Sequence, residues 1–192
     1  MRYEVVIIGG FGHAGLPLAI SLADKGRSVC APDVDEGAMR LIGDGKMPFH
    51  EDEAEKALRR VLQTGKLTLS LDPATISQTD TVVVIIGTPV DRHLNPEFEA
   101  LSQMISGYFP HFRDGQLLVL RSTVYPGITE KVRRWLRGEG LQVELAFCPE
   151  RIAEGLAMSE LISLPQIISS EFPRAPALQG GDLASSPKCT AC

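Results

Sequence analysis

Short apolar runs alternate with amphipathic stretches along most of the chain. The runs at residues 4–8, 28–31, 67–71, 81–86, 117–120 and 143–147 are strand-length and apolar at successive positions, the pattern of strands buried on both faces. Residues 14–25, 36–41, 51–64, 96–106 and 129–137 between them carry helical spacing. This alternation predicts an α/β fold, a doubly wound parallel sheet of about six strands with right-handed crossovers and helices on both faces. Ligands on such sheets sit at the carboxyl ends of the strands, so every loop that follows a strand is a candidate for site residues. After Ile168 the periodicity stops. Ser169 to Pro176, Gly180-Gly181 and Ser185-Ser186-Pro187 are rich in breakers, so residues 1–168 are expected to form the domain and residues 169–192 a poorly ordered tail.

The loop after the first run is Gly10-Phe11-Gly12-His13-Ala14-Gly15, which opens onto Leu16-Pro17-Leu18-Ala19-Ile20. Glycines at this spacing are common, but these lie between a buried strand and a helix, where a Rossmann-type site requires them. Gly10 is expected to make the tight turn, Gly12 to let the backbone approach a pyrophosphate, and Gly15 to let helix and strand pack closely. The helix N-terminus, with free N–H groups and roughly half a positive charge, suits a diphosphate. The second strand ends at Asp33, 23 residues after Gly10, close to the ~20-residue spacing of a ribose-binding acid. A carboxylate there accepts from the ribose hydroxyls and repels a 2′-phosphate; like unit charges about 4 Å apart cost ~4 kcal/mol at an effective dielectric near 20. Asp35 adds negative charge nearby and Arg40 lies too far along to reverse it, so the expected cofactor is NAD rather than NADP.

Three further strand-end loops carry polar chemistry: Gly87-Thr88-Pro89-Val90-Asp91, Arg121-Ser122-Thr123-Val124-Tyr125-Pro126-Gly127 and Cys148-Pro149-Glu150-Arg151. Each alone is consistent with turn punctuation, but all three are expected on the rim that holds Gly10 to Gly15. His13 sits in the glycine loop with its backbone N–H as the expected contact, while His50 and His93 read as solvated. A net charge of −5 gives no basis for binding nucleic acid or an anionic membrane. No apolar run is long enough to span a bilayer and the first strand begins near Met1, so a cytoplasmic setting is expected. Cys30, Cys148, Cys189 and Cys192 do not look like a disulfide framework in a chain of 192 residues. Cys30 reads as a buried filler, Cys189-x-x-Cys192 has neither a partner pair nor a histidine, and no metal site is expected.

The ordered set GGFGHAGLPLA, PDVD, GTPVD with a following NP, RSTVYPG and CPERIAEG resembles the UDP-glucose/GDP-mannose dehydrogenase family over roughly residues 3–168. The CPER form and the GHAGLPLA loop look most like the branch that acts on UDP-N-acetylmannosamine, with the UDP-glucose branch the alternative. The resemblance implies oxidation of a sugar CH₂OH to a carboxylate in two steps, with two NAD and a thioester on a cysteine. It implies that Gly10, Gly12, His13, Ala14, Gly15, Asp33, Thr88, Pro89 and Thr123 meet the cofactor. It also implies that Thr123 helps place the hydrolytic water, that Glu150 is the base of the second half-reaction, and that Arg151, Ile152 and Glu154 touch the substrate sugar. A carboxylate and a hydroxyl beside a nicotinamide can move a proton and orient water.

The family's catalytic cysteine, catalytic lysine and UDP-binding surface belong to a central helical region and a second domain, for which this sequence has no counterpart. Cys148 does not match the nucleophile and reads as a strand-end filler. The 192 residues alone are therefore expected to be inactive as a dehydrogenase, with a UDP-sugar as substrate of the parent enzyme and a homodimer as its possible assembly. Two alternatives stay open: a β-hydroxyacid dehydrogenase, which lacks a counterpart to CPERIAEG, and a non-catalytic NAD-binding module.

Overall fold

The computed structural model describes residues 2–87, 102–103, 105–124 and 126–170, and the backbone of residues 190–191. The apolar runs form strands β1 Val5–Ile8, β2 Val29–Pro32, β3 Leu67–Ser70, β4 Thr81–Val84, β5 Leu117–Leu120 and β6 Glu144–Phe147. They pair in parallel in the order β3-β2-β1-β4-β5-β6. The helices are α1 Gly15–Asp24, α2 Glu36–Gly43, α3 Ala54–Gln63, α4 Ile128–Gly138 and α5 Ala157–Ser163. Residues 102–103 and 105–106 are also helical, and the rest of the expected 96–106 helix lies outside the described residues. Single 3₁₀ segments cover Pro73–Gln78 and Phe109–His111.

The unbroken apolar runs have a simple cause. The two-residue period of a strand sends alternate side chains to opposite faces, and both faces are covered. Val5, Ile7, Val29, Ala31, Val83, Val119 and Ala146 join one core with α1, α3 and α5. Val6, Ile8, Cys30, Val82, Val84, Leu118, Leu120 and Leu145 join the other, with Ile105, Phe112 and the Ile128, Val132 and Leu136 stripe of α4. From Gly15 to Ala23 helix α1 is apolar on all sides except at Ser21, and these residues are all buried. Pro17 is accommodated because it stands in the first turn, where a backbone N–H is not needed.

Two additions lie beyond the six parallel strands. Strand β7, Ile167–Ser170, pairs antiparallel with β6, through Ala146 with Ser170 and Phe147 with Ser169. The backbone of β8, Thr190–Ala191, pairs in parallel with β7. The sheet thus reaches into residues 169 and 170, two positions past the point where the periodicity stops. Residues 171–189 and the Cys189 and Cys192 side chains lie outside the described residues.

The glycine loop turns one residue earlier than expected. Gly9, not Gly10, takes the left-handed conformation, at φ +77°, and a Cβ there would stand 2.0 Å from the Ile85 carbonyl oxygen. Gly10 is small for a different reason: a Cβ would lie 2.5 Å from the Ala31 Cβ. At Gly15 a Cβ would lie 2.1 Å from the Gly9 oxygen, so α1 begins with its backbone pressed on the strand end. Gly15→Ala is therefore expected to cost about 1–3 kcal/mol or more in overpacking. Gly43→Ala, at a helical glycine with no atom within 4 Å of the added carbon, is expected to be neutral or to stabilise by up to ~1 kcal/mol. Urea unfolding of the two variants checks this, and equal midpoints would contradict the packing described.

Candidate cofactor and substrate site

Strand order reverses between β1 and β4, which makes a crevice at their carboxyl ends. The Ile85 N–H donates to the Ile8 carbonyl at 2.9 Å, closing the two strand ends together. The glycine loop hangs over this crevice. Ala14 caps α1 without any side-chain hydrogen bond, and the first turn holds no acidic residue, so the positive end of the helix is left for an external anion. Gly12 is exposed, and a Cβ there would meet nothing nearer than the Gly9 oxygen at 3.7 Å. The backbone there is open to approach from outside.

Asp33 stands at the end of β2, partly buried. Its Oδ2 accepts from the Phe11 N–H at 3.0 Å and its Oδ1 from the Val34 N–H at 2.7 Å, which joins it to the glycine loop. Asp35 also caps α2, its Oδ1 accepting from the Ala38 N–H at 2.9 Å. Arg40 pairs with Glu36 at 3.0 Å on the exposed face of α2, so it does not offset Asp33. Tyr108, not expected from the sequence, also belongs to this neighbourhood: burial, and then the negative charge of Asp33, push its phenol above the usual range. His13 is exposed and stacks on Phe49, with ring centroids 4.1 Å apart. His50 is exposed beside Asp52, at 3.3 Å.

The second group lies along the same rim, past β4. Arg121 follows β5 directly and is fully buried. Its Nε donates to Glu150 Oε2 at 3.1 Å and its Nη2 donates to the same oxygen. Its Nη1 donates to Gln166 Oε1 at 3.0 Å and lies 3.3 Å from Cys148 Sγ. Glu150 Oε1 accepts from the N–H groups of Arg151 and Ile152 at 2.8 and 3.2 Å. Thr123 is exposed, with Oγ1 3.5 Å from the Glu150 carbonyl. Arg151 and Glu154 are exposed, and Ile152 packs partly on the core. Ser122 joins this rim to β4, its Oγ accepting from the Ile86 N–H at 2.9 Å and donating to the Ile86 carbonyl at 2.8 Å. Thr88 and Pro89 lie outside the described residues.

The expected residues thus form two groups at one end of the sheet: Gly10, Gly12, His13, Ala14, Gly15 and Asp33 over β1 and β2, and Thr123, Glu150, Arg151 and Ile152 over β5 and β6. Arg121, Ser122 and Gln166 bind the second group together; the sequence pointed to Arg121 and Ser122 only as members of a candidate strand-end loop, and not to Gln166. An arginine following an apolar strand was the available signal for Arg121. Cys148 is buried at 2% exposure. Burial pushes the Cys30 thiol up to about 11. Among the described residues no three His, Cys, Asp or Glu side chains are grouped to hold a metal ion, and no helix is long and apolar enough to cross a membrane.

A doubly wound sheet with a glycine loop, an open helix N-terminus and a strand-end aspartate at its switch point defines a dinucleotide-binding domain. A family model for the UDP-glucose/GDP-mannose dehydrogenase family, NAD binding domain, matches residues 3–176. The chain belongs to this family, and the matching part is its NAD-binding domain. The UDP-N-acetyl-D-mannosamine dehydrogenase of Yersinia pestis is 26% identical over 189 residues, 92% of this chain and 44% of that protein. The protein of the same name from Methanococcus aeolicus is 28% identical over 161 residues, 82% of this chain and 36% of that one. The solved structure of a UDP-D-ManNAc dehydrogenase from Pyrococcus horikoshii matches at a TM-score of 0.88 and 26% identity, over 100% of this chain and 46% of that one. The chain spans less than half the length of these relatives.

The Arg121–Glu150 pair should be costly to break from one side. Arg121→Met leaves a carboxylate that is 11% exposed without its guanidinium, for an expected loss of about 3–5 kcal/mol. Arg121→Met combined with Glu150→Gln is expected to recover a good part of it. Urea unfolding of both variants checks the pair; a double variant no more stable than the single one would contradict it.

Proposed function

We propose that this chain is the cofactor-binding part of a nucleotide-sugar 6-dehydrogenase that oxidises a UDP-sugar, UDP-N-acetylmannosamine in the first instance, to its uronate. The observation that supports this reading best is the adjacency of Thr123 and Glu150 on the rim that also carries the glycine loop and Asp33. When bound, NAD would supply the hydride acceptor for oxidation of the sugar carbon. Gly12, His13, Ala14 and the start of α1 would hold its diphosphate and Asp33 would accept from its ribose, and the resemblance assigns Thr88, Pro89 and Thr123 to the cofactor as well. Thr123 orients a water through its hydroxyl, and Glu150 takes that water's proton at its carboxylate. Arg151, Ile152 and Glu154 contact the sugar.

The names of the relatives support UDP-N-acetylmannosamine over UDP-glucose as the substrate. A nicotinamide cofactor fits a cytoplasmic setting, and a homodimer is the proposed assembly. A second reading, a non-catalytic NAD-binding module, is favoured by one observation: both Glu150 oxygens already accept hydrogen bonds within the protein. In the dehydrogenase reading, the Glu150 contact with Arg121 loosens when the proton is taken.

Formation of NADH, followed by absorbance with UDP-N-acetylmannosamine or UDP-glucose, separates the readings. The 192 residues alone are expected to give no turnover, because no cysteine in them matches the family's nucleophile. The same chain lengthened by the remaining portion of a relative is expected to turn over, and Glu150→Gln in it is expected to lower the rate about 10²–10⁴-fold. Turnover by the 192 residues alone would contradict the assignment of the nucleophile to the missing portion. An unchanged rate in Glu150→Gln would remove Glu150 from the chemistry.

A further inference from the structure

We infer that Glu51 is a positioning residue that braces the substrate-side loop against the cofactor-side loop. Glu51 lies before α3 and is 7% exposed. Its Oε2 accepts from the Gly155 N–H and its Oε1 from the Met158 N–H, both at 3.1 Å. The Asp52 N–H donates back to the Gly155 carbonyl at 3.3 Å. Gly155 meets this clamp in the left-handed conformation, at φ +85°, which the glycine makes accessible.

The clamp supplies what α5 lacks locally. Leu156 occupies the N-cap position and makes no side-chain hydrogen bond, because it has no polar atom to offer. Met158 is in the first turn of α5, so a carboxylate from a remote loop satisfies one of the N–H groups left over there. Glu160 secures the other flank, its Oε2 accepting from the Ala153 N–H at 2.7 Å. Residues 151–155, which carry Arg151, Ile152 and Glu154, are thus held at one end by Glu150 and at the other by Glu51 and Glu160.

The other end of the brace reaches the cofactor loop. Phe49, two residues before Glu51, stacks on His13. Residues 49–52 therefore touch the glycine loop on one side and the substrate-side loop on the other. A dinucleotide that orders His13 restrains Phe49, and through Glu51 it restrains Gly155 to Met158. This coupling rests on the NAD reading of the glycine loop; the clamp itself does not.

Amide hydrogen exchange on the 192-residue chain, with and without NAD, tests both parts. Without NAD, Glu51→Ala is expected to speed exchange at Gly155 and Met158 about tenfold, and Glu51→Gln, which keeps an acceptor oxygen, to restore part of the protection. Saturating NAD is expected to slow exchange at residues 155–158 in the unmutated chain. Phe49→Leu is expected to keep the protection seen without NAD and to lose the slowing that NAD induces. Unchanged exchange at Gly155 and Met158 in Glu51→Ala overturns the clamp. Slowing by NAD that is equal in Phe49→Leu, or absent from an unmutated chain that binds NAD, overturns the coupling. If NAD does not bind at all, the cofactor reading and the coupling fall together, while the comparison without NAD still decides the role of Glu51.

Discussion

Backbone packed against backbone at the start of α1 is the constraint on which the cofactor site depends. The Gly15 position is tolerable only without a side chain, since a Cβ would overlap the Gly9 carbonyl. Gly10 is also held tightly against Ala31 of β2. Together these contacts place the positive end of α1 over the crevice where the strand order reverses, and they bring Phe11 close enough for its N–H to reach Asp33. A larger residue at either glycine would separate the three elements that border the crevice.

The far side of the rim is organised by charge rather than by close packing. A buried guanidinium is costly unless paired and hydrogen-bonded, and Arg121 meets that demand by reaching the loop after β6 and the residue before β7 at once, through Glu150 and Gln166. Glu150 in turn fixes the N–H groups of the loop that follows it. The ion pair thus anchors the start of the loop at residues 151 and 152, while Glu160 and Glu51 anchor its later part.

Much of this was legible in the chain. The apolar runs mark the six parallel strands because both faces are covered, and the glycine loop and Asp33 stand out because their spacing is local to one β-α-β unit. The limits have physical causes as well. The tight turn fell on Gly9 rather than Gly10, since two adjacent glycines offer the same freedom and only the contact with Ile85 distinguishes them. Strand β7 runs antiparallel to β6 and ends in Ser169-Ser170, so it breaks the alternation that revealed the others. Glu51 carries no local signature of its role, and Arg121 only its place directly after an apolar strand. Glu51 meets Gly155 and Met158 more than a hundred positions away, and no periodicity spans such a distance.

The central claim, that the glycine loop and Asp33 form an NAD site, is tested most directly by calorimetry of the chain with NAD and with NADP, alongside Asp33→Ala. The account predicts that NAD binds at least about tenfold more tightly than NADP, a difference of roughly 1.4 kcal/mol. It also predicts that Asp33→Ala weakens NAD binding and removes most of that preference. Equal affinities for the two dinucleotides in the unmutated chain would contradict it.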